Sequence, residues 1–480
     1  MKTLLQWLVP DTSRVRLAYH RTKALIAAIS EGFPAKKLIV IGVTGTDGKT
    51  TTVGMIAHML NACGLKTGAL STAFFQVGRE IRWNPTQKTS PSPFLVQKFL
   101  RELVHSGCTH AVIECSSHGL LQGRVNYTYP AVAGITNVSE EHLDYHRTME
   151  RYIEAKAILF RMLGGKGTKV LHATDQSYGT LARIASERTI TYVAEAQGPS
   201  HLSDGDISLS LRMIESHAQK SRAVLEARSA RATSEYPLTI SIAGTFNLEN
   251  ALCAIGCLQG LAHPPEITSA LRALALFRGI QGRMERLDVG QNFSVYIDFT
   301  VTPKSYAATL ATLKSMLPDG KRLLVLAGSC GDRMKEKRPI IGKILSDHAD
   351  IAVITNEDPY TEDPEKIIDE VLSGVPSGIQ IFNQISTEPF LKMKSLNKFC
   401  VRITDRLQAI RFILSQAQEG DIVIVCGKGS DTTMMTKSGQ IPWNERVIVQ
   451  EALKSMKHEN GGNKSLYRQQ TRESSAAALG

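Results

Sequence analysis

Aromatic residues are scarce, at 6% of the chain, and the basic residues are scattered rather than interleaved with them. No stacking platform for nucleic acid is indicated, so nucleic acid is the weaker of the polyanionic partners that a formal charge of +11 permits. No apolar run approaches the ~20 residues that span a bilayer. The eight cysteines include no C-x-x-C pair, which argues against a zinc site or a disulfide framework and for a reducing compartment. Cys253 and Cys257, four apart on an expected helix, read as small buried hydrophobes. No internal repeat is evident. The apolar start, MKTLLQWLVP, is cut short at Pro10 and lacks a signal-type cleavage site, so a cytoplasmic location is expected. The basic segment after it is expected to pack on the neighbouring domain rather than lie on a membrane.

What is present is an ordinary globular composition, 42% hydrophobic and 21% charged, in 480 residues, too long for one core. The apolar, β-branched run Leu38–Ile41 feeds a glycine turn, Gly45-Thr46-Asp47-Gly48-Lys49-Thr50-Thr51, and a helical pattern follows through Leu60. Strand, glycine turn and helix describe a phosphate cradle. Backbone N–H groups approach phosphate oxygens, Lys49 neutralises them and the Thr50 hydroxyl can ligand Mg²⁺. Val43 stands where the strict phosphate-loop spacing has its first glycine, yet the context points to an ATP-using enzyme.

Two further apolar runs end in polar clusters: Thr109–Cys115 at Glu114, Ser116 and Ser117, and Val132–Thr136 at Glu141, His142 and Asp144. Open parallel sheets bind ligands beyond strand C-termini, so Glu114 and His142 are candidates to share Mg²⁺ if these strands are neighbours. Lys156, on the expected helix Thr148–Phe160, reads by its spacing as a solvated helix lysine. Leu65–Trp83 suggests a short strand and an irregular segment. Residues 168–243 mix short strands with polar stretches, Gln197–Ser200 and Glu215–Ser234 among them, and are expected to add strands to the central sheet with an exposed loop or two. After Gly279–Glu285 the alternation resets, with strands expected at Ser294–Phe299, Arg322–Ala327, Ile351–Thr355 and Asp421–Val425. The expected organisation is α/β: a helical segment 1–36, a central ATP-binding domain 37–284 with a mostly parallel sheet, a doubly wound Rossmann-like domain 285–457 and a disordered tail 458–480.

At these motifs the sequence resembles the Mur ligases, the ATP-dependent amide ligases of peptidoglycan precursor synthesis, whose relatives include folylpolyglutamate synthases. TGTDGKTT, ECSSHGLLQGRV, ITNVSEEHLDYHRTMERYIEAKAILF, GTFNLENALCA, GRMERLD, GSCGDRMKEKRP and GKGSD carry the resemblance in order from Lys37 to Lys457. The second and third of these look like the branch that adds the third residue of the stem peptide.

The resemblance implies that Lys49 and Thr50 hold the ATP phosphates and a first Mg²⁺, with Glu114 on that metal and His142 on a second. It implies that Lys156 is carbamylated and acts as a carboxylate-like ligand, against its reading from spacing. It implies that Phe246, Asn247 and Asn250 frame the adenine, that Arg283 meets the nucleotide and that Asp298 approaches the ribose. Thr89, Ser90, Ser116 and Arg124 would grip the muramoyl dipeptide. The implied reaction adds an amino acid to UDP-N-acetylmuramoyl-L-Ala-D-Glu through an acyl phosphate, by a monomer acting on small molecules.

Four departures bear on that expectation. About 36 residues precede the loop, so the family's UDP-holding N-terminal domain is expected to be missing or reduced. Val301 replaces a motif histidine. Glu357-Asp358-Pro359-Tyr360 stands for DNPR, and Gly427-Lys428-Gly429-Ser430-Asp431 for GKGHE. A diamino acid could set its distal ammonium against Asp358 or Asp431. The alternatives are a ligase for another carboxylate, such as a folylpolyglutamate-type substrate, or an ATP-binding partner protein that lost catalysis.

Overall fold

The computed structural model describes residues 13–456 except 85, 87, 195–201, 218–219, 384–395 and 397. The polar stretch Gln197–Ser200 and the tail 458–480, both singled out in the sequence, lie outside the described residues. The described residues form two compact units divided between Ile280 and Gln281.

The first unit is built on an eleven-stranded sheet. Its central strand, β1 (Ile39–Thr44), is apolar because it is covered on both faces, as parallel strands are. Strands β2 (Thr67–Leu70), β3 (Phe74–Val77) and β4 (Glu80–Trp83) extend one side through β5 (His110–Glu114). On the other side β6 (Pro130–Ile135), β7 (Thr168–His172) and β8 (Arg188–Val193) follow, then β9 (Ile207–His217), β10 (Lys220–Ser229) and β11 (Thr233–Ile240). β1 pairs in parallel with both β5 and β6. The chain crosses from one side to the other here, and ligands settle outside strand C-termini at such a switch point. The helix Lys49–Ala62 is buried on nearly every side, between the sheet and the helix Phe246–Gln259. That explains its lack of a clear polar face.

One expectation is corrected. Leu65–Trp83 is three strands rather than one: β3 returns antiparallel to β2, and Gly78, at φ +60°, turns β3 into β4. The strands expected to decorate the central sheet are there, and the polar stretch Glu215–Ser234 belongs to them, in the antiparallel meander β9–β10–β11. One face of the meander is solvated, so its polar residues mask the period-two pattern, while Leu209, Leu225 and Leu238 turn inward.

The second unit has a seven-stranded sheet. Strands β12 (Glu285–Leu287), β13 (Ser294–Asp298), β14 (Leu323–Ala327), β15 (Ile351–Ile354), β16 (Gln380–Asn383), β17 (Phe399–Arg402) and β18 (Ile422–Cys426) lie in the order β12-β13-β18-β14-β15-β17-β16. All pairs are parallel except β12 with β13. This is the doubly wound layout expected from the alternation, with short strands β12, β16 and β17 added to the four that were legible.

Candidate functional site

The loop after β1 takes its shape from two glycines that need left-handed backbone. Gly45 (φ +146°) passes so close to Thr136 that a Cβ would meet Oγ1 at 1.9 Å, and at Gly48 (φ +79°) one would meet Asn250 Oδ1 at 2.0 Å. Gly48 is also the cap of the helix Lys49–Ala62, so the loop ends at a helix N-terminus, where unpaired N–H groups favour an anion. The segment after β6 props the loop. Thr46 N donates to Asn137 O (2.7 Å), Asp47 N to Asn137 Oδ1 (3.1 Å), and Thr136 Oγ1 to Asp47 O (2.6 Å). Lys49 Nζ folds back onto Thr46 O at 2.6 Å.

Because β5 lies beside β1, Glu114 reaches the loop helix. Its carboxylate, 1% exposed, accepts from Thr50 Oγ1 (2.9 Å), Thr72 N (2.8 Å) and Thr72 Oγ1 (2.8 Å). Thr72 Oγ1 also bonds Thr89 Oγ1 at 2.8 Å. Ser90 Oγ accepts from Ser116 N (3.0 Å) and Ser90 O from Arg124 Nη1 (2.9 Å). Thr89, Ser90, Ser116 and Arg124 thus adjoin the Glu114 corner as one connected group.

Lys156 is not a solvated lysine. It is 1% exposed, donates to Gly45 O at 2.5 Å, and lies 4.2 Å from the centroid of the Tyr152 ring. Burial, and then the Lys49 ammonium, hold its pKa well below the usual lysine value. Tyr152 OH in turn contacts Thr46 Oγ1 at 3.2 Å. His142 takes φ +57° at the start of the helix Leu143–His146, with its ring 4.7 Å from that of His118 and 6.3 Å from that of Tyr152. His146 donates to or accepts from Ser117 Oγ at 3.0 Å, and burial, with His118 and Lys156 nearby, lowers its pKa to about 4, which keeps it neutral. Among the described residues no group of three or more His, Cys, Asp or Glu is arranged to hold a metal. Asn250 Nδ2 bonds Asn247 Oδ1 (3.0 Å), and Phe246 packs over Gly244.

In the second unit, Arg283 Nη1 bonds Ser430 Oγ at 3.2 Å and its guanidinium lies over the Phe299 ring. Asp298 accepts from Met284 N at 2.6 Å and from Thr300 Oγ1. Asp358 and Asp431 both hold Lys428, whose Nζ lies 2.8 and 2.9 Å from the Asp358 oxygens and 2.9 Å from Asp431 Oδ2. Burial works against the Lys428 charge, but the Asp431 and Asp358 carboxylates outweigh it and raise the pKa. The ammonium at these carboxylates is therefore the chain's own.

Residues 43–258 match the Mur ligase middle domain, and residues 282–429 the Mur ligase glutamate ligase domain. A 2,6-diaminopimelate ligase of UDP-N-acetylmuramoyl-L-alanyl-D-glutamate from Chlorobium phaeobacteroides is 33% identical over 93% of this chain and 82% of its own. The chain belongs to the Mur ligase family. A UDP-N-acetylmuramyl-tripeptide synthetase from a Roseiflexus species is 32% identical, over 90% of this Mur ligase and 81% of its own length. Solved structures share the fold. One of a 2,6-diaminopimelate ligase has a TM-score of 0.57 at 24% identity, covering 92% of this chain and 82% of that one. That of Mycobacterium tuberculosis folylpolyglutamate synthase has 0.61 at 16%, covering 85% and 92%. Mur ligases are ATP-dependent, ADP-forming amide ligases that use Mg²⁺.

Sequence reasoning overlooked Thr72, Asn137 and Tyr152 in this Mur ligase. Thr72 lies in the stretch read as irregular, and only the hairpin turn between β2 and β3 brings it to Glu114. Asn137 follows a strand, which was a usable signal. Tyr152, one turn before Lys156 on the helix Met149–Arg161, could have been paired with it by the i, i+4 rule.

Proposed function

We propose that this Mur ligase joins an amino acid to UDP-N-acetylmuramoyl-L-Ala-D-Glu in peptidoglycan precursor synthesis, with Lys49, Thr50, Glu114, His142 and Lys156 as its ATP-side machinery. The substrate is the one on which the similar 2,6-diaminopimelate ligase and tripeptide synthetase are named as acting. The single observation that carries the chemistry is the Thr50–Glu114 contact at the N-terminus of the loop helix. It puts a hydroxyl and a carboxylate, both hard oxygen donors, at the position where a triphosphate would sit. Mg²⁺ suits few protein ligands completed by phosphate oxygens, and the Thr50 hydroxyl and Glu114 carboxylate are ligands of that kind.

Bound there, Mg²⁺ would neutralise phosphate charge and polarise the γ-phosphorus. The loop N–H groups and Lys49 bind the phosphates, and Ser90, Ser116 and Arg124 orient the substrate carboxylate. A carboxylate oxygen attacks the γ-phosphorus and ADP leaves. The acceptor amine then attacks the acyl carbon, loses a proton and expels phosphate. Positioning and charge neutralisation supply most of the acceleration.

Lys156 is proposed to be carbamylated. Burial and the Lys49 ammonium lower its pKa and so favour the neutral, nucleophilic amine. Nitrogen attacks CO₂, a C–N bond forms, the π pair moves to oxygen and a proton leaves to solvent. The product is an anion next to the loop. The relatives' names make 2,6-diaminopimelate the first acceptor to try. The Lys428 contacts argue against a distal ammonium lodging on Asp358 or Asp431.

The test is phosphate release from ATP and Mg²⁺ with the UDP-muramoyl dipeptide, across a panel of amino acids, with the product weighed by mass spectrometry. Release that needs both substrates, with the matching tripeptide mass, is expected. ATP binding without release across the panel would overturn the reading.

A further inference from the structure

The helix Arg14–Ser30 is turned inside out for a surface helix. Its small residues Ala24, Ala27 and Ala28, all 0% exposed, face inward, and the helix Pro93–His105 is its neighbour. Four of its large apolar residues face solvent: Val15 (72% exposed), Tyr19 (61%), Ile26 (52%) and Ile29 (58%). The spacings of four, seven and three align these four as one stripe along the helix. Leu25 and, on the adjoining helix, Phe94 widen it. The sequence reading had this segment packing on its domain. It does so through alanines, and that leaves the larger side chains unexplained.

The charges around the stripe are of one sign. Arg16 and Lys23 fall on one flank and Arg21 on the other, at 100° per residue, and Lys23 Nζ sits 6.0 Å from the Phe94 ring. The helix contains no Asp or Glu. The acids beside it are already paired, Glu31 with Arg101 (3.1 Å) and Glu102 with Arg82. An apolar stripe between rows of cations is the pattern of a helix that lies in an anionic interface.

We propose that the outer face of this helix docks on an anionic lipid bilayer, a role separate from ligation. Other occupants fit less well. A second copy meeting the stripe face to face would bring like-charged flanks together. Residues 1–12 carry Lys2 and Asp11 and so offer the flanks no net negative charge. No described helix is long and apolar enough to cross a membrane, so the contact is peripheral.

The experiment is co-sedimentation of the full chain with vesicles of phosphatidylcholine alone or mixed with phosphatidylglycerol. Three variants are compared, each checked for an unchanged melting temperature: V15S/Y19S/I26S/I29S, R16Q/R21Q/K23Q and L5S/W7S/L8S. Binding to the anionic vesicles is expected to fall about 10-fold in each of the first two variants, and to weaken with salt. Equal binding to neutral vesicles, or loss in the third variant alone, overturns the proposal. So does absence of vesicle binding, and a dimer that the stripe variant dissociates would reassign the face to a second copy.

Discussion

Lys156 and Lys428 lie equally deep, each 1% exposed, yet the protein holds them in opposite ways. Lys156 has a carbonyl oxygen and an aromatic face for partners, with another ammonium, Lys49, contributing unfavourably. Lys428 sits between two carboxylates. Burial depresses the pKa of the first, while the carboxylates raise that of the second. Depth therefore does not decide what a buried lysine is for; its partners do. An amine whose charged form is disfavoured is suited to react, whereas a cation favoured between Asp358 and Asp431 is suited to brace the segments that follow β15 and β18.

The strongest break of that contrast is in catalysis. Lys156→Ala is expected to lower kcat by roughly 10³-fold, as the loss of one preorganised charged group in a closed site does. Short-chain carboxylic acids should restore part of the rate by replacing the carbamate. Rates in CO₂-depleted and bicarbonate buffers, measured across pH, check the reactive amine. The carbamate-dependent fraction should fall as pH drops through the depressed Lys156 pKa, because protonation removes the nucleophile. A wild-type rate in Lys156→Ala would remove the proposed role.

In stability the ranking reverses. Lys428→Met leaves two carboxylates facing each other, and breaking a buried pair costs about 3–5 kcal/mol. Lys156→Met, in CO₂-depleted buffer at pH 7, is expected to be neutral or stabilising, since it removes a poorly solvated amine. The signs follow from proton binding. Between its depressed folded pKa and 10.5, Lys156 is protonated only in the unfolded chain, so stability rises with pH there and Lys156→Met flattens the rise. For Lys428 the contribution is complete below 10.5 and is lost only as pH rises through the higher folded value. Urea unfolding at pH 7 and pH 10 measures both.

A smaller effect is expected at the residue that steadies Glu114. Thr72→Val removes one of its three donors and leaves Thr50 Oγ1 and the Thr72 N–H in place. Loss of such an outer hydrogen bond costs about 10-fold in kcat/KM or in Mg²⁺ affinity. A Mg²⁺ titration of the rate would separate the two, and an unchanged constant would make Thr72 only a hairpin residue.

Legibility in the sequence followed the kind of interaction. Short, largely apolar runs announced β1, β5, β6, β13, β14, β15 and β18, because a strand covered on both faces has few polar residues to blur it. The phosphate loop was legible for the same local reason, since its glycines, Lys49 and Thr50 are contiguous. The meander β9–β11 was legible only as unspecified strands added to the central sheet, and its length was hidden, because one solvated face makes a strand resemble a polar loop. Lys156 was misread from its own helix, whose spacing cannot reveal that Gly45 O, 111 positions away, would accept from it. The Lys428 bridge was hidden in the same way. Asp358 and Asp431 looked available to a substrate because nothing local says that a lysine three residues from one is also bonded to the other.

The mildest test asks how Asp358 and Asp431 share Lys428. Asp358 offers both oxygens to Nζ and also accepts from Met435 N at 2.8 Å, whereas Asp431 offers one oxygen. Asp431→Asn should therefore cost about 1.5 kcal/mol, near the lower end for a hydrogen bond to a charged group. Asp358→Asn should cost more, because the anchor it gives Met435, in the two-stranded hairpin of Thr433–Thr436 and Gly439–Pro442, is weakened with it. The KM for the acceptor amino acid should hardly move in Asp431→Asn, since the cation at that carboxylate is Lys428 itself. A rise in that KM, with stability unchanged, would mean that Lys428 yields its place to the substrate. The contrast between a reactive and a bracing lysine would then fail on the bracing side.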